Sequence, residues 1–198
     1  MNIYGASGHG KVIIDIAESI DISIDQIFDD NNKIDSLNER AVIHDLNKSF
    51  LDSDTIIAIG NNNIRKRVVD SFQGNIAEAI IHKSAIISPN AIVEKGTVIM
   101  PNACVNSSTS IGEHCIINTA STIDHDCVLG NYVHISPNAA IAGNVVTLTT
   151  FNFFTAKAIR ILSRNKFELT NSILLLTIKF FKFLVHLRKS EYPLYGNL

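Results

Sequence analysis

The sequence predicts an α/β layer with a parallel sheet, then a parallel β-helix, then a tail of different character. Three observations carry this reading. Short β-branched runs alternate with amphipathic stretches as far as residue 83, an aliphatic residue recurs every six positions from Ile87 to Ile141, and the charge balance changes sign after Val146. Residues 1–146 hold 9 basic and 17 acidic side chains, net −8, against 8 and 2 in residues 147–198, net +6, so the overall −2 of the 198-residue chain is a cancellation. Nine of the ten glycines precede the change and seven of the ten phenylalanines follow it, so one folding rule does not cover both parts. The expected divisions are 1–83, 84–146 and 147–198.

In the first division the expected strands are Asn2 to Tyr4, Gln26 to Phe28, Thr55 to Ile59 and Ala79 to Ile81, and the expected helices Lys11 to Ile20 and Ile64 to Ser71. The first helix carries Val12, Ile13, Ile16, Ala17 and Ile20 on one stripe, with Lys11, Asp15, Glu18 and Ser19 opposite. Strands alternating with helices imply βαβ units and a parallel sheet.

In the second division every sixth residue is aliphatic: Ile87, Val93, Ile99, Val105, Ile111, Ile117, Ile123, Leu129, Ile135 and Ile141. Four residues after each stands a small or β-branched one, from Ala91 to Val145. Such a hexapeptide repeat is a β-helix signature, with the bulky residue filling the interior and the small one packing near a corner. Cys115 and Cys127 occupy small-residue slots and Cys104 precedes a core residue, so all three read as core. They form no CxxC pair and match no zinc-site spacing, so no metal is expected.

The repeat fails at Thr147, where an eleventh aliphatic residue belongs. In the tail, Ser172, Lys179, Lys182, His186 and Lys189 share one helical stripe among apolar neighbours, which describes a basic amphipathic helix. Two explanations stand: a divergent cap over open strand edges, or translation out of frame, which the glycine loss and biased composition favour. The apolar stretch Ile173 to Val185 is interrupted by two lysines and falls short of the roughly 20 residues that span a bilayer. A resting contact of the basic helix with an acidic membrane is the weaker expectation. No export signal precedes the first glycine loop, so the expected location is cytoplasmic. The net −8 of the first 146 residues argues against nucleic acid as a partner.

Three motifs could carry chemistry. Gly5-Ala6-Ser7-Gly8-His9-Gly10 lies between an expected strand and helix, where glycines permit close approach and a helix N-terminus attracts phosphate. Asp29 and Asp30 follow at the end of the second strand, where an acidic pair could bind ribose or base. A nicotinamide dinucleotide and a nucleotide-sugar diphosphate both remain open at this point, the glycine spacing differing from the dinucleotide fingerprint. Gly60-Asn61-Asn62-Asn63-Ile64-Arg65 is either a capped, Asn-rich turn or a second ligand loop on the same sheet edge. In Asp124-His125-Asp126, His125 is expected to point outward, as a plain surface residue or as a base oriented by a neighbouring carboxylate. Gly143 stands one coil further on, leaving open space and a backbone N–H beside the imidazole. His134 lies half a coil on, at the side where a neighbouring chain could meet it.

Together Ile3 to Gly10, Ile57 to Asn62, Ile81 to Ala85, Asp124 to Cys127 and Ala142 to Val145 resemble a known family: left-handed β-helix (hexapeptide-repeat) acetyltransferases of bacterial nucleotide-linked amino sugars and sialic acids. The resemblance covers residues 1 to about 146 and is strongest to UDP-4-amino-sugar N-acetyltransferases. It implies a Rossmann-like N-terminal domain, a left-handed parallel β-helix and a homotrimer with active sites between subunits. It implies His125 as general base supported by Asp126, where the family often has Glu. It further implies a UDP-amino sugar, of the 4-amino-4,6-dideoxy type, bound by Ser7, Gly8, His9, Asp29, Asp30 and Gly60, and acetyl-CoA met by His134 and the Gly143 backbone. The alternatives are a sialic acid or other sugar O-acetyltransferase, and a sugar-nucleotide-binding remnant impaired by the loss of further coils after Val146.

Overall fold

The computed structural model describes residues 1–150 and the backbone of Asn152 and Phe153, all within one unit, Met1–Lys166. The other unit, Phe167–Leu198, and the basic helix expected along 172–189 lie outside the described residues.

The first layer runs β1 (Asn2–Tyr4), α1 (Gly8–Ser19), β2 (Ile27–Phe28), β3 (Ser36–Leu37), β4 (Arg40–Ile43), α2 (Lys48–Asp52), β5 (Thr55–Ile57) and α3 (Asn62–Ser71). Its sheet order is β3-β4-β2-β1-β5, parallel except where β3 meets β4. That hairpin turns on Asn38 and Glu39, both at positive φ, as the handedness of a two-residue connection requires. The interior strand β1, between β2 and β5, is buried throughout, and α1 turns Ile13, Ile14, Ile16 and Ala17 into the core.

The remaining strands are two residues each: β6 (Ile80–Ile81), β7 (Ile86–Ile87), β8 (Ile92–Val93), β9 (Val98–Ile99), β10 (Cys104–Val105), β11 (Ser110–Ile111), β12 (Ile116–Ile117), β13 (Thr122–Ile123), β14 (Val128–Leu129), β15 (His134–Ile135), β16 (Ala140–Ile141) and β17 (Asn152–Phe153). They stack into three parallel sheets, β7-β10-β13-β16, β8-β11-β14 and β6-β9-β12-β15-β17. Each pairing joins a residue to the one 18 further on, such as Cys104 to Thr122 and Ile116 to His134, so three hexads make one coil. The strand expected at Ala79 to Ile81 is therefore corrected. Ile80–Ile81 pairs with Val98–Ile99 in the β-helix and not with the first sheet, because Ile81 already stands on the six-residue period that leads to Ile87.

The aliphatic positions from Ile99 to Ile141 are all buried. Every sixth residue from Asn102 to Thr150 has a left-handed backbone, which turns the chain at each corner. Small-slot side chains tie successive coils: Thr97 and Thr109 hydroxyls donate to the carbonyls of Gly112 and Asp124 at 2.8 and 2.7 Å, and the Cys115 and Cys127 thiols donate to Gly130 and Ala142. The coil outlasts its sequence repeat. Thr147 is buried at the eleventh interior position, Thr150 turns like the earlier corners, and β17 pairs with β15.

One face of the β-helix packs on the first layer. Val98, Met100 and Ile116 share a core with Ile3, Ile13, Ile16 and Ile80, while Tyr4, Phe28, Phe50 and Ile57 form a second cluster.

Candidate active site

Gly5 has φ +119°, and a Cβ on it would stand 2.8 Å from the Ala58 carbonyl oxygen, so the loops after β1 and β5 can touch only through a glycine. Ser7 and Gly8 are exposed, and nothing lies within 4 Å of where a Gly8 Cβ would stand. The Ser7 side chain does not cap α1, and the first turn holds no acidic residue, so the positive end of this helix faces outward uncompensated.

Asp29 is tied to the loop. Its Oδ2 accepts from the Ala6 N–H at 2.6 Å and its Oδ1 from the Asn31 N–H at 2.8 Å. Asp30 Oδ2 accepts from the Tyr4 hydroxyl at 3.0 Å, and burial followed by this carboxylate raises the phenol's pKa. Sequence reasoning missed His44, whose Nδ1 donates to the Asp29 carbonyl at 2.9 Å; it follows β4, a strand without a clear alternating pattern.

After β5, Asn61 caps α3 by accepting from the Ile64 N–H. One turn on stands Arg65, 1% exposed, the last residue of the second sequence motif, to which the sequence assigns no role of its own. Its Nε donates to the His114 carbonyl at 2.9 Å, its Nη1 to the carbonyls of Ile59 (2.7 Å) and Gly60 (3.2 Å), and its Nη2 to Asn62 Oδ1 (2.8 Å) and the Tyr132 carbonyl (3.2 Å). Burial lowers its pKa to about 10. Around it lie three imidazoles. Burial and then the Arg65 charge lower His9, His114 and His134 to about 4 each, so all three are neutral at pH 7. His114 stacks on Tyr132, and the Asn118 amide donates to His134 Nε2 at 3.0 Å. The structure thus brings His9, Gly60 and His134 into one neighbourhood. His134 lies on the coil face that packs against its own chain's first layer.

His125 follows β13 on an exposed corner. Its Nδ1 donates to Asp126 Oδ2 at 2.7 Å, which leaves Nε2 with the free lone pair. Asp126 itself has φ 58°, the corner conformation that turns its carboxylate back beside the ring. Asp124 does a different job: its Oδ1 accepts from the His125 N–H at 2.8 Å and from the Asn106 amide at 3.0 Å, the latter being the larger cause of its lowered pKa. The Asp126 contact, then the Asp124 charge, raise the pKa of His125 above the usual imidazole value.

The space expected above Gly143 is filled, which corrects the sequence reading. A Cβ there would stand 2.8 Å from His125 Cε1 and 2.9 Å from Nε2, so the missing side chain is what lets the imidazole lie across the next coil. Cys115 and Cys127 are buried and their thiol pKa values are raised, which leaves them poor nucleophiles. Among the described residues no group of three His, Cys, Asp or Glu could hold a metal ion, and no helix is long and apolar enough to cross a membrane.

A glycine-loop α/β layer joined to hexapeptide coils is the architecture of the structural neighbours, left-handed β-helix sugar N-acetyltransferases of the kind the sequence resemblance names. Residues 1–72 match the family model described as the PglD N-terminal domain. The chain is similar to a histidine-to-asparagine mutant of perosamine N-acetyltransferase from Caulobacter crescentus, solved with CoA and GDP-perosamine: 29% identity, 74% of this chain and 72% of that one, TM-score 0.68. It is similar to the acetyltransferase domain of PglB from Neisseria gonorrhoeae, solved with acetyl coenzyme A: 28% identity, 76% and 85%, TM-score 0.66. WeeI from Acinetobacter baumannii, at 20% identity over 79% of this chain and 92% of that one with TM-score 0.61, shares the fold. These neighbours are acetyl-CoA-dependent sugar acetyltransferases, the enzyme class and the coenzyme that the sequence resemblance implies.

Proposed function

We propose that this chain transfers an acetyl group from acetyl-CoA to the amine of a nucleotide-linked amino sugar, with His125 as general base. The observation that carries the reading is the His125–Asp126 pair lying across Gly143: one ring nitrogen is held by a carboxylate and the other is free to take a proton. The amine attacks the thioester carbonyl, and His125 Nε2 takes the amine's proton. The C–S bond then breaks, and the proton passes to the departing thiolate. The Gly143 N–H would meet the carbonyl oxygen as charge builds on it.

The open N-terminus of α1, with Ser7, Gly8 and His9, is suited to the diphosphate, and the Gly60 loop on the same sheet edge to the sugar. Asp29 and Asp30, already bonded to Ala6 and Tyr4, would contribute mainly by shaping this crevice. In this reading the first division binds the nucleotide sugar and the coils carry out the transfer. A UDP sugar is the nucleotide form that the sequence resemblance implies; the Caulobacter neighbour was solved with GDP-perosamine, so both belong in the assay.

A homotrimer with shared sites is part of the proposal. The sheet β8-β11-β14 exposes Ile92 and Val128, with Val146 bridged beside them, a stripe fit to face another copy. His125 stands on the corner before β14 and His134 at the start of β15 after it. A second copy seated on that sheet would bring the His125 of one chain toward the His134 of the next, where acetyl-CoA would lie. Three free cysteines fit a reducing cytoplasm.

The test is thiol release from acetyl-CoA in the presence of a UDP- or GDP-linked 4-amino sugar. Release that depends on the amine supports the proposal. Release with sialic acid instead supports O-acetylation, and nucleotide-sugar binding without acetyl-CoA binding supports an impaired remnant.

A further inference from the structure

The buried guanidinium of Arg65 has no assigned part in the chemistry above. An arginine carries five N–H donors, and all five are satisfied here without a carboxylate, by four backbone carbonyls and the Asn62 side chain. A buried charge held only by dipoles is costly to place, and its hydrogen bonds must all be made for it to be tolerated. Its partners come from two sides. The Ile59 and Gly60 carbonyls belong to the loop after β5, whereas the His114 and Tyr132 carbonyls belong to two successive corners of the β-helix, 18 residues apart. Tyr132 stands two residues before His134, and Gly60 neighbours the His134 ring.

We propose that Arg65 is a positioning residue: it bolts the Gly60 loop to two coil corners, so that a nucleotide sugar held on the first layer's loops is presented to the acetyl-transfer coils in one register. The inference rests on the acetyl-transfer reading above. Only a planar fork can bond in five directions across such a joint; an ammonium has three donors at one point and reaches one side or the other. The Arg65 charge also acts on His9, His114 and His134, and keeping these imidazoles neutral preserves the acceptor nitrogen that His134 presents to Asn118.

The experiment compares the full-length chain with Arg65→Lys and Arg65→Gln. Steady-state kinetics are measured with acetyl-CoA and a nucleotide-linked 4-amino sugar, and backbone hydrogen exchange is followed at residues 59–64. Arg65→Lys is expected to melt cooperatively, to raise KM for the nucleotide sugar about tenfold or more while KM for acetyl-CoA stays within about twofold, and to speed exchange at 59–64 with the coil strands still protected. Unchanged kinetics and unchanged loop exchange overturn the proposal. So does a parallel loss of both substrates' binding together with the melting transition, since that describes a merely structural residue. If Arg65→Gln fails to fold, Arg65→Lys decides. A wild-type chain that turns over no substrate sinks the acetyl-transfer reading instead. The bolt is then judged on exchange alone: faster exchange confined to 59–64 in Arg65→Lys supports it, and unchanged exchange overturns it.

Discussion

The imidazole of His125 lies directly across the Cα of Gly143, one coil further along the β-helix, where a Cβ would stand 2.8 Å from Cε1 and 2.9 Å from Nε2. Gly143→Ala therefore forces the ring to move, and the ring cannot move far without lengthening its 2.7 Å bond to Asp126. Gly143 does not have positive φ, so alanine meets no backbone penalty there. The expected outcome is a loss of kcat of roughly tenfold to a hundredfold, less than the full general-base effect because the base is displaced and not removed, with thermal unfolding nearly unchanged. Thiol release and a melting curve on the same preparation check both halves.

His125→Ala removes the base outright and should lower thiol release by about 10²- to 10⁴-fold. The side chain is largely exposed, so the folded state should lose little. Equal release from the variant and the parent would rule out His125 as the base.

Asp126→Asn separates the carboxylate's two effects. The base must be neutral to accept a proton, and Asp126 is the first cause of a pKa raised above 6.5, so in the parent the rate falls as pH drops through that raised value. With Asn the acid limb should move to lower pH. The plateau rate should also drop, because an amide holds the ring's tautomer less firmly. Asparagine tolerates the left-handed backbone at this corner, so folding is not at issue. A pH–rate profile with an unmoved acid limb counts against the pairing.

The parts of this molecule differ in how far they could be read in advance, for physical reasons. The coil interior is legible because Ile99 to Ile141 must each fill the same space, and the His125–Asp126 contact because the two are chain neighbours. Ile81 was readable as the start of the repeat, since it stands six residues before Ile87, but two apolar residues alone fit either sheet. The hairpin at Asn38 and Glu39 gives no signal of the Asn-Gly kind. Arg65 looks like a surface residue of a short helix, and only the folding of corners 49 and 67 residues away buries it. Gly143 could be placed beside His125 by counting 18, but not the fact that the ring occupies its vacancy.

The three imidazoles around Arg65 predict how stability depends on pH. Their ordinary value is 6.5, and in the folded chain His9, His114 and His134 are each lowered to about 4, first by burial and next by Arg65. Between pH 6.5 and 4 the unfolded chain therefore binds more protons than the folded one, and the folded state loses stability as pH falls through that window. Above pH 7 these groups contribute no slope. Each tenfold loss of proton affinity on folding corresponds to about 1.4 kcal/mol. After a discount for solvent reaching the half-buried His9 and His134, the three together are worth on the order of a few kcal/mol. His125 has the opposite sign, its raised pKa favouring the folded state at low pH, but as an exposed group it offsets little. Urea midpoints at pH 7.5, 6.5, 5.5 and 4.5, values chosen to bracket the window, should be level over the first two and fall over the rest. His134→Asn should remove part of that fall, and a midpoint independent of pH down to 4.5 would show that the imidazoles are not held neutral by the fold.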